Sequence, residues 1–207
     1  MERITDLADQ AVILPLAATV AAALALAGWR RGALAWCAVI GWILALMLVL
    51  KLASAACGHL LPGGELQSPS GHTAAAGAVY GGLLAGLVQR LAGHGRWTAA
   101  CAAAAALVVG ASRLALGMHT AVDVLVGGAV GVGGAMALTR LAGVPPLGMR
   151  LAPVAAAALV VIVAFHAFHL VAEAAIRDAT TRVWPLSGCS RTNGMVSTTR
   201  FPAHAGF

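Results

Sequence analysis

Long apolar runs, interrupted by short basic or glycine-containing segments, set the pattern of this chain. Six runs stand out, at roughly 11–28, 32–52, 72–92, 97–117, 119–141 and 151–172. Each is about 20 residues long, the length an α-helix needs to cross a hydrocarbon layer about 30 Å thick. The pattern predicts an all-α fold, a polytopic helical bundle with about six transmembrane helices and short connections. It divides the chain into a membrane domain over 1–172 and a polar, irregular tail over 173–207, expected to be disordered. The start, Met1 to Asp9, is net acidic, unlike the basic start of a cleaved signal peptide, so the first helix is expected to stay.

Composition strengthens this picture. The chain is 60% hydrophobic and only 10% charged, with a mean hydropathy of +0.90. Its net charge of +6 does not point to nucleic acid, because the basic residues form no stripe and sit mostly at helix ends. Arg30 and Arg31 follow the first run, Arg90 and Arg96 separate the third from the fourth, and Arg140 and Arg150 separate the last two. The positive-inside rule assigns these loops to the cytoplasm and the opposite helix ends to the outer side. Arg177, Arg182, Arg191 and Arg200 in the tail run against that assignment, but the rule weakens for longer segments. Gly77 and Gly81, Gly82 and Gly86, and Gly127 and Gly131 are spaced four apart, which lets helix backbones approach closely in lipid. Packing within the chain is the expected use, ahead of a dimer seam. Cys37 and Cys101 fall within helices; Cys57 and Cys189 could share the outer side, but sequence alone does not establish the approach a disulfide needs.

Two polar segments interrupt the apolar background. Ionisable groups beside membrane helices are costly and point to function. In Pro69-Ser70-Gly71-His72, Ser70 stands where it would cap the third helix, whose free N–H groups and positive end suit an anion. Gly71 lets a bound group come close to the backbone. A capped helix with a surface histidine would look the same in isolation. The second segment is Ser112-Arg113-x5-His119-x3-Asp123. Arg113 is expected near the outer end of its helix, able to snorkel toward the interface, and its planar donors suit phosphate oxygens. Gly117 is expected to make the turn. His119 and Asp123, at i and i+4 on the fifth helix, would share a face, so Asp123 could hold one imidazole nitrogen and leave the other as nucleophile. The alternative is an Arg–Asp pair that joins two helices, with His119 as filler.

Together, Pro-Ser-Gly-His and Ser-Arg-x5-His-x3-Asp resemble the second and third motifs of the type 2 phosphatidic acid phosphatase superfamily. The resemblance spans about residues 45–141. It implies that His119 attacks phosphorus to form a phosphohistidine, that Asp123 orients its ring, and that His72 protonates the leaving group and then helps activate water. It implies further that Ser70, the Gly71 amide and Arg113 hold the phosphoryl oxygens, with no metal and no other cofactor. The superfamily's first motif, Lys-x6-Arg-Pro, is incomplete. Lys51 is present at the outer end of the second run, but Gly58 and His59 replace Arg and Pro. Lys51 then acts alone, or His59 supplies a weaker cation.

Membrane members of the superfamily usually place three helices before the first motif; here two runs precede Lys51 and an extra one, 151–172, follows. On that last run, His166 and His169 lie between and beside Phe165 and Phe168, and an interfacial pair is expected rather than a metal site. The reading that results is a lipid phosphatase of a bacterial inner membrane, acting at the periplasmic face on a lipid phosphate monoester or isoprenyl diphosphate. Its partners would be the bilayer and that lipid, with no nucleic acid. A phosphotransferase using the same phosphohistidine, or a non-catalytic binder of lipid phosphate, are the alternatives.

Overall fold

The computed structural model describes residues 2–57, 68–92, 97–146, 148–166 and 168. Every regular element among them is helical. In chain order they are α1 (Glu2–Asp6), α2 (Gln10–Leu26), α3 (Arg30–Cys57), α4 (Gly71–Ala75), a π-helical turn (Ala76–Tyr80), α5 (Gly81–Ala92), α6 (Thr98–Ala115), α7 (Ala121–Ala142) and α8 (Ala152–Phe165). The segment α4–π–α5 runs on as one rod. Four helical stretches are long and apolar enough to cross a membrane: 30–54, 71–89, 98–115 and 121–142.

The first and last predicted spans form apolar helices, but shorter ones. Helix α2 has 17 residues and α8 has 14. Both are shorter than the four stretches above, α8 being measured over the described residues. Among the described residues there are thus four candidate spans, and the expected count of six is not confirmed.

Helix α7 is the axis of the bundle, packing against α3, α4, the π turn, α5 and α6. Glycine makes this possible. A methyl group at Gly127 would run into the Ser70 carbonyl, and one at Gly131 would lie 2.6 Å from the Ala74 carbonyl oxygen. Gly77 faces Gly131 from the other side, Gly81 abuts Ala102 of α6, and Gly82 abuts Leu138 of α7. The expected small-residue contacts are thus internal at these positions. Gly86 differs, since nothing lies within reach of a methyl group there.

On the other flank α2 packs on α3 and α8. Ile13, Leu16 and Val20 are fully buried against the Trp36, Val39 and Ile43 side of α3. The Trp36 indole N–H donates to the Ala17 carbonyl at 3.0 Å, so the one polar atom of that ring is satisfied. Outward-facing apolar residues are the complement of this core: Trp42 is 69% exposed, Leu107 67% and Leu125 69%. Such a surface is unfavourable in water and suits lipid.

The start of α3 and the end of α7 lie at the opposite end of the bundle from the polar segments. Arg31 Nε donates to the Leu141 carbonyl at 2.8 Å, which ties the start of α3 to the end of α7. The other end gathers Lys51, the start of α4, the end of α6 and the start of α7. An apolar cleft of about 410 Å³ opens between α2, α5, α7 and α8, lined by Leu24, Trp29, Leu83, Leu138 and Leu151. It holds none of the polar-segment residues and belongs to the basic half. The Cys57 and Arg90 side chains, Gly58, His59, Arg96, His169, Cys189 and the tail over 173–207 lie outside what is described, and the expectations for them with it.

Candidate active site

Four elements deliver the polar residues to one end of the bundle. Helix α4 starts as the sequence predicts: Ser70 is its N-cap, and its Oγ accepts from the Thr73 N–H at 3.4 Å and the Thr73 hydroxyl at 2.9 Å. Ser70 is wholly buried, whereas the His72 side chain is 25% exposed. Helix α6 ends in a tight turn. The Met118 N–H donates to the Arg113 carbonyl at 3.1 Å, and Gly117 takes φ +65°, a backbone conformation glycine adopts without a Cβ penalty. That turn delivers His119 beside the chain segment carrying Arg113.

The start of α7 corrects one expectation. His119 is not on the helix; it precedes the N-cap, which is Thr120. Thr120 and Asp123 form a reciprocal capping box: the Asp123 N–H donates to Thr120 Oγ1, and the Thr120 N–H to Asp123 Oδ2, each at 3.1 Å. The spacing Thr-x-x-Asp announces that arrangement in the sequence and places the helix start after His119. The i, i+4 relation survives for a different reason. The turn folds the imidazole back, so its Nδ1 lies 3.7 Å from Asp123 Oδ2, with the two side chains 5% and 2% exposed. This is longer than a hydrogen bond. Nε2, on the opposite edge of the ring, is turned away from the carboxylate.

Asp123 has a second task that sequence reading missed. Its Oδ1 accepts from the Ser68 N–H at 2.9 Å, and its own carbonyl accepts from the Ser70 N–H at 3.0 Å. One aspartate thus fastens the Pro-Ser-Gly-His segment to the helix that follows His119. No local signal announces this, because the partners are 55 residues apart in the chain.

Arg113 and Lys51 complete the basic side. Arg113 is only 6% exposed, so it is buried at the site instead of snorkelling to an interface. Lys51 is 9% exposed and lies within α3, which runs on to Cys57 past the expected end. Its Cε approaches the position a Gly71 side chain would take, at 3.6 Å. The first and second polar motifs therefore meet directly. Two cationic side chains, a capped helix start and two histidines thus lie at the same end of the bundle.

The N-terminal segment joins the site unannounced. Thr5 Oγ1 and Ser112 Oγ are 2.9 Å apart, and Asp9 Oδ2 lies 3.8 Å from His72 Nε2. Asp9 before an apolar run is readable as a helix cap, which it is, but its nearness to His72 depends on tertiary packing. Elsewhere, His166 Nδ1 meets the Val163 carbonyl at 2.8 Å, and the Phe165 and Phe168 rings lie 5.8 Å apart. Among the described residues no three His, Cys, Asp or Glu side chains gather where one metal ion could bind.

No curated protein and no solved structure matches the chain. A family model does, and its match covers residues 51–144, from Lys51 through both polar motifs to the end of α7. Members of that family are generally phosphatases. Over residues 51–144 the chain is thus similar to the PAP2 superfamily, that of the type 2 phosphatidic acid phosphatases.

Proposed function

We propose that this protein is an integral-membrane lipid phosphatase working through a phosphohistidine on His119. The carrying observation is the Asp123 joint, which faces His119 Nδ1 with one carboxylate oxygen and holds the Ser68 backbone with the other. With Nδ1 carrying its proton toward Asp123, Nε2 keeps a lone pair for attack on phosphorus. The Nε2–P bond forms as the P–O bond to the leaving group breaks, and His72 gives that oxygen a proton. Water then attacks phosphorus, His72 takes its proton, the N–P bond breaks and inorganic phosphate leaves. Arg113, Lys51, the Ser70 hydroxyl and the Gly71 N–H neutralise the equatorial oxygens, where negative charge is spread in the transition state.

The substrate class follows from the setting. The site lies at one end of four apolar spans, so a lipid can leave its tails in the bilayer while its phosphate enters. A phosphate monoester such as phosphatidate, or an isoprenyl diphosphate such as undecaprenyl diphosphate, meets that description. The arginine-bearing end opposite the site supports a periplasmic orientation in a bacterial inner membrane. Phosphate release from a panel of lipid phosphates, in detergent with EDTA, tests the reading. His119→Ala should abolish release and the acid-labile phosphoenzyme while leaving the protein folded; a His119→Ala protein with full activity would sink the mechanism.

A further inference from the structure

The segment before α2 is held to the active site by three contacts. Thr5 Oγ1 meets Ser112 Oγ at 2.9 Å, one residue from Arg113. The Tyr80 hydroxyl donates to the Leu7 carbonyl. Asp9 Oδ2 faces His72 Nε2 at 3.8 Å, with the two side chains 13% and 25% exposed. The cap of α2 is made by Oδ1, which accepts from the Ala11 N–H at 2.8 Å. A cap needs one oxygen, and many residues supply it. The second oxygen is aimed at the ring that the proposed reaction uses as its proton donor.

We infer that Asp9 is a positioning residue for His72. It holds the Nε2 edge of the imidazole and directs Nδ1 toward the leaving oxygen. This parallels what Asp123 does for His119, so each histidine of the centre has its own carboxylate. The two carboxylates come from opposite ends of the fold. Asp123 belongs to the family-matched segment 51–144, whereas Asp9 lies outside it. The N-terminal segment is on this view part of the catalytic apparatus and not only a lead-in to the first long helix.

The inference rests on the phosphohistidine reading, and the test separates the two. Proton donation matters most for a poor leaving group, so two probes are compared: dioctanoyl phosphatidate, which releases an alkoxide, and p-nitrophenyl phosphate, whose phenolate leaves without help. Asn is as good a helix cap as Asp, so Asp9→Asn removes the charge and keeps the Ala11 bond. General acids contribute about 10²- to 10⁴-fold, and losing the group that orients one is expected to forfeit about tenfold of that. The expected result for Asp9→Asn is a kcat ratio, phosphatidate over aryl phosphate, lowered about tenfold, with Asp9→Glu recovering most of it. His72→Asn should lower the same ratio further, and Asp9→Asn should add nothing in that background. An equal loss on both probes would make Asp9 merely structural and overturn the inference, as would an unchanged ratio while His119→Ala is inactive. If His119→Ala kept the wild-type rate, the phosphohistidine reading would fall first and the Asp9 role with it.

Discussion

Asp123 illustrates how one side chain serves both chemistry and fold. Its carboxylate faces His119, accepts from Ser68 and Thr120, and sits 1% exposed where no water can replace a lost partner. Asp123→Asn keeps the shape but replaces an acceptor oxygen with an amide donor. One of the two backbone N–H groups then lacks an acceptor, at a cost of about 1–3 kcal/mol. We therefore expect Asp123→Asn to lose activity and melt at a lower temperature, whereas His119→Ala loses activity with little change in Tm. Paired thermal-unfolding and phosphate-release measurements check this; equal Tm values for the two variants would remove Asp123 from its structural role. Thr-x-x-Asp and His-x3-Asp were both readable in the sequence. That the same aspartate also grips Ser68 was not, since nothing local couples residues so far apart.

At the scale of elements, the site depends on how closely α7 approaches α4. Gly127 lies against the Ser70 carbonyl, leaving no room for a side chain between the helix start and the bundle axis. Gly127→Ala must push the two apart, and overpacking of this kind costs about 1–3 kcal/mol. The displacement also stretches the Ser70–Asp123 and Ser68–Asp123 bonds, so activity is expected to fall far more than stability, by at least tenfold. Gly86→Ala, where a methyl group meets nothing, is the control and should leave both unchanged. A Gly127→Ala enzyme with wild-type kcat would show that the close approach does not position the site. The four-residue glycine spacing was visible along the chain; which faces it joins depends on the rotation of each helix, which only packing sets.

At the scale of the molecule, sidedness is the open structural consequence. The site end carries Met118, 58% exposed in the α6–α7 turn, and the basic end carries Val144, 77% exposed after α7. In a background lacking native cysteines, Met118→Cys should react with an impermeant thiol reagent on intact spheroplasts, and Val144→Cys only after lysis. The reverse pattern would place the site in the cytoplasm. Apolar run length, cap and turn residues by themselves determined an all-helical chain with helices of membrane-crossing length, the cap at Ser70 and the turn at Gly117. These are local properties, written in neighbouring residues and in the preference of long apolar runs for lipid. Only the tertiary structure decided how the helices pack around α7. It alone brought Lys51 to Gly71, fastened Ser68 to Asp123 and carried Asp9 to His72. The physical reason is common to these last three: contacts between distant segments depend on helix rotation, depth and close approach, which no stretch of sequence encodes alone.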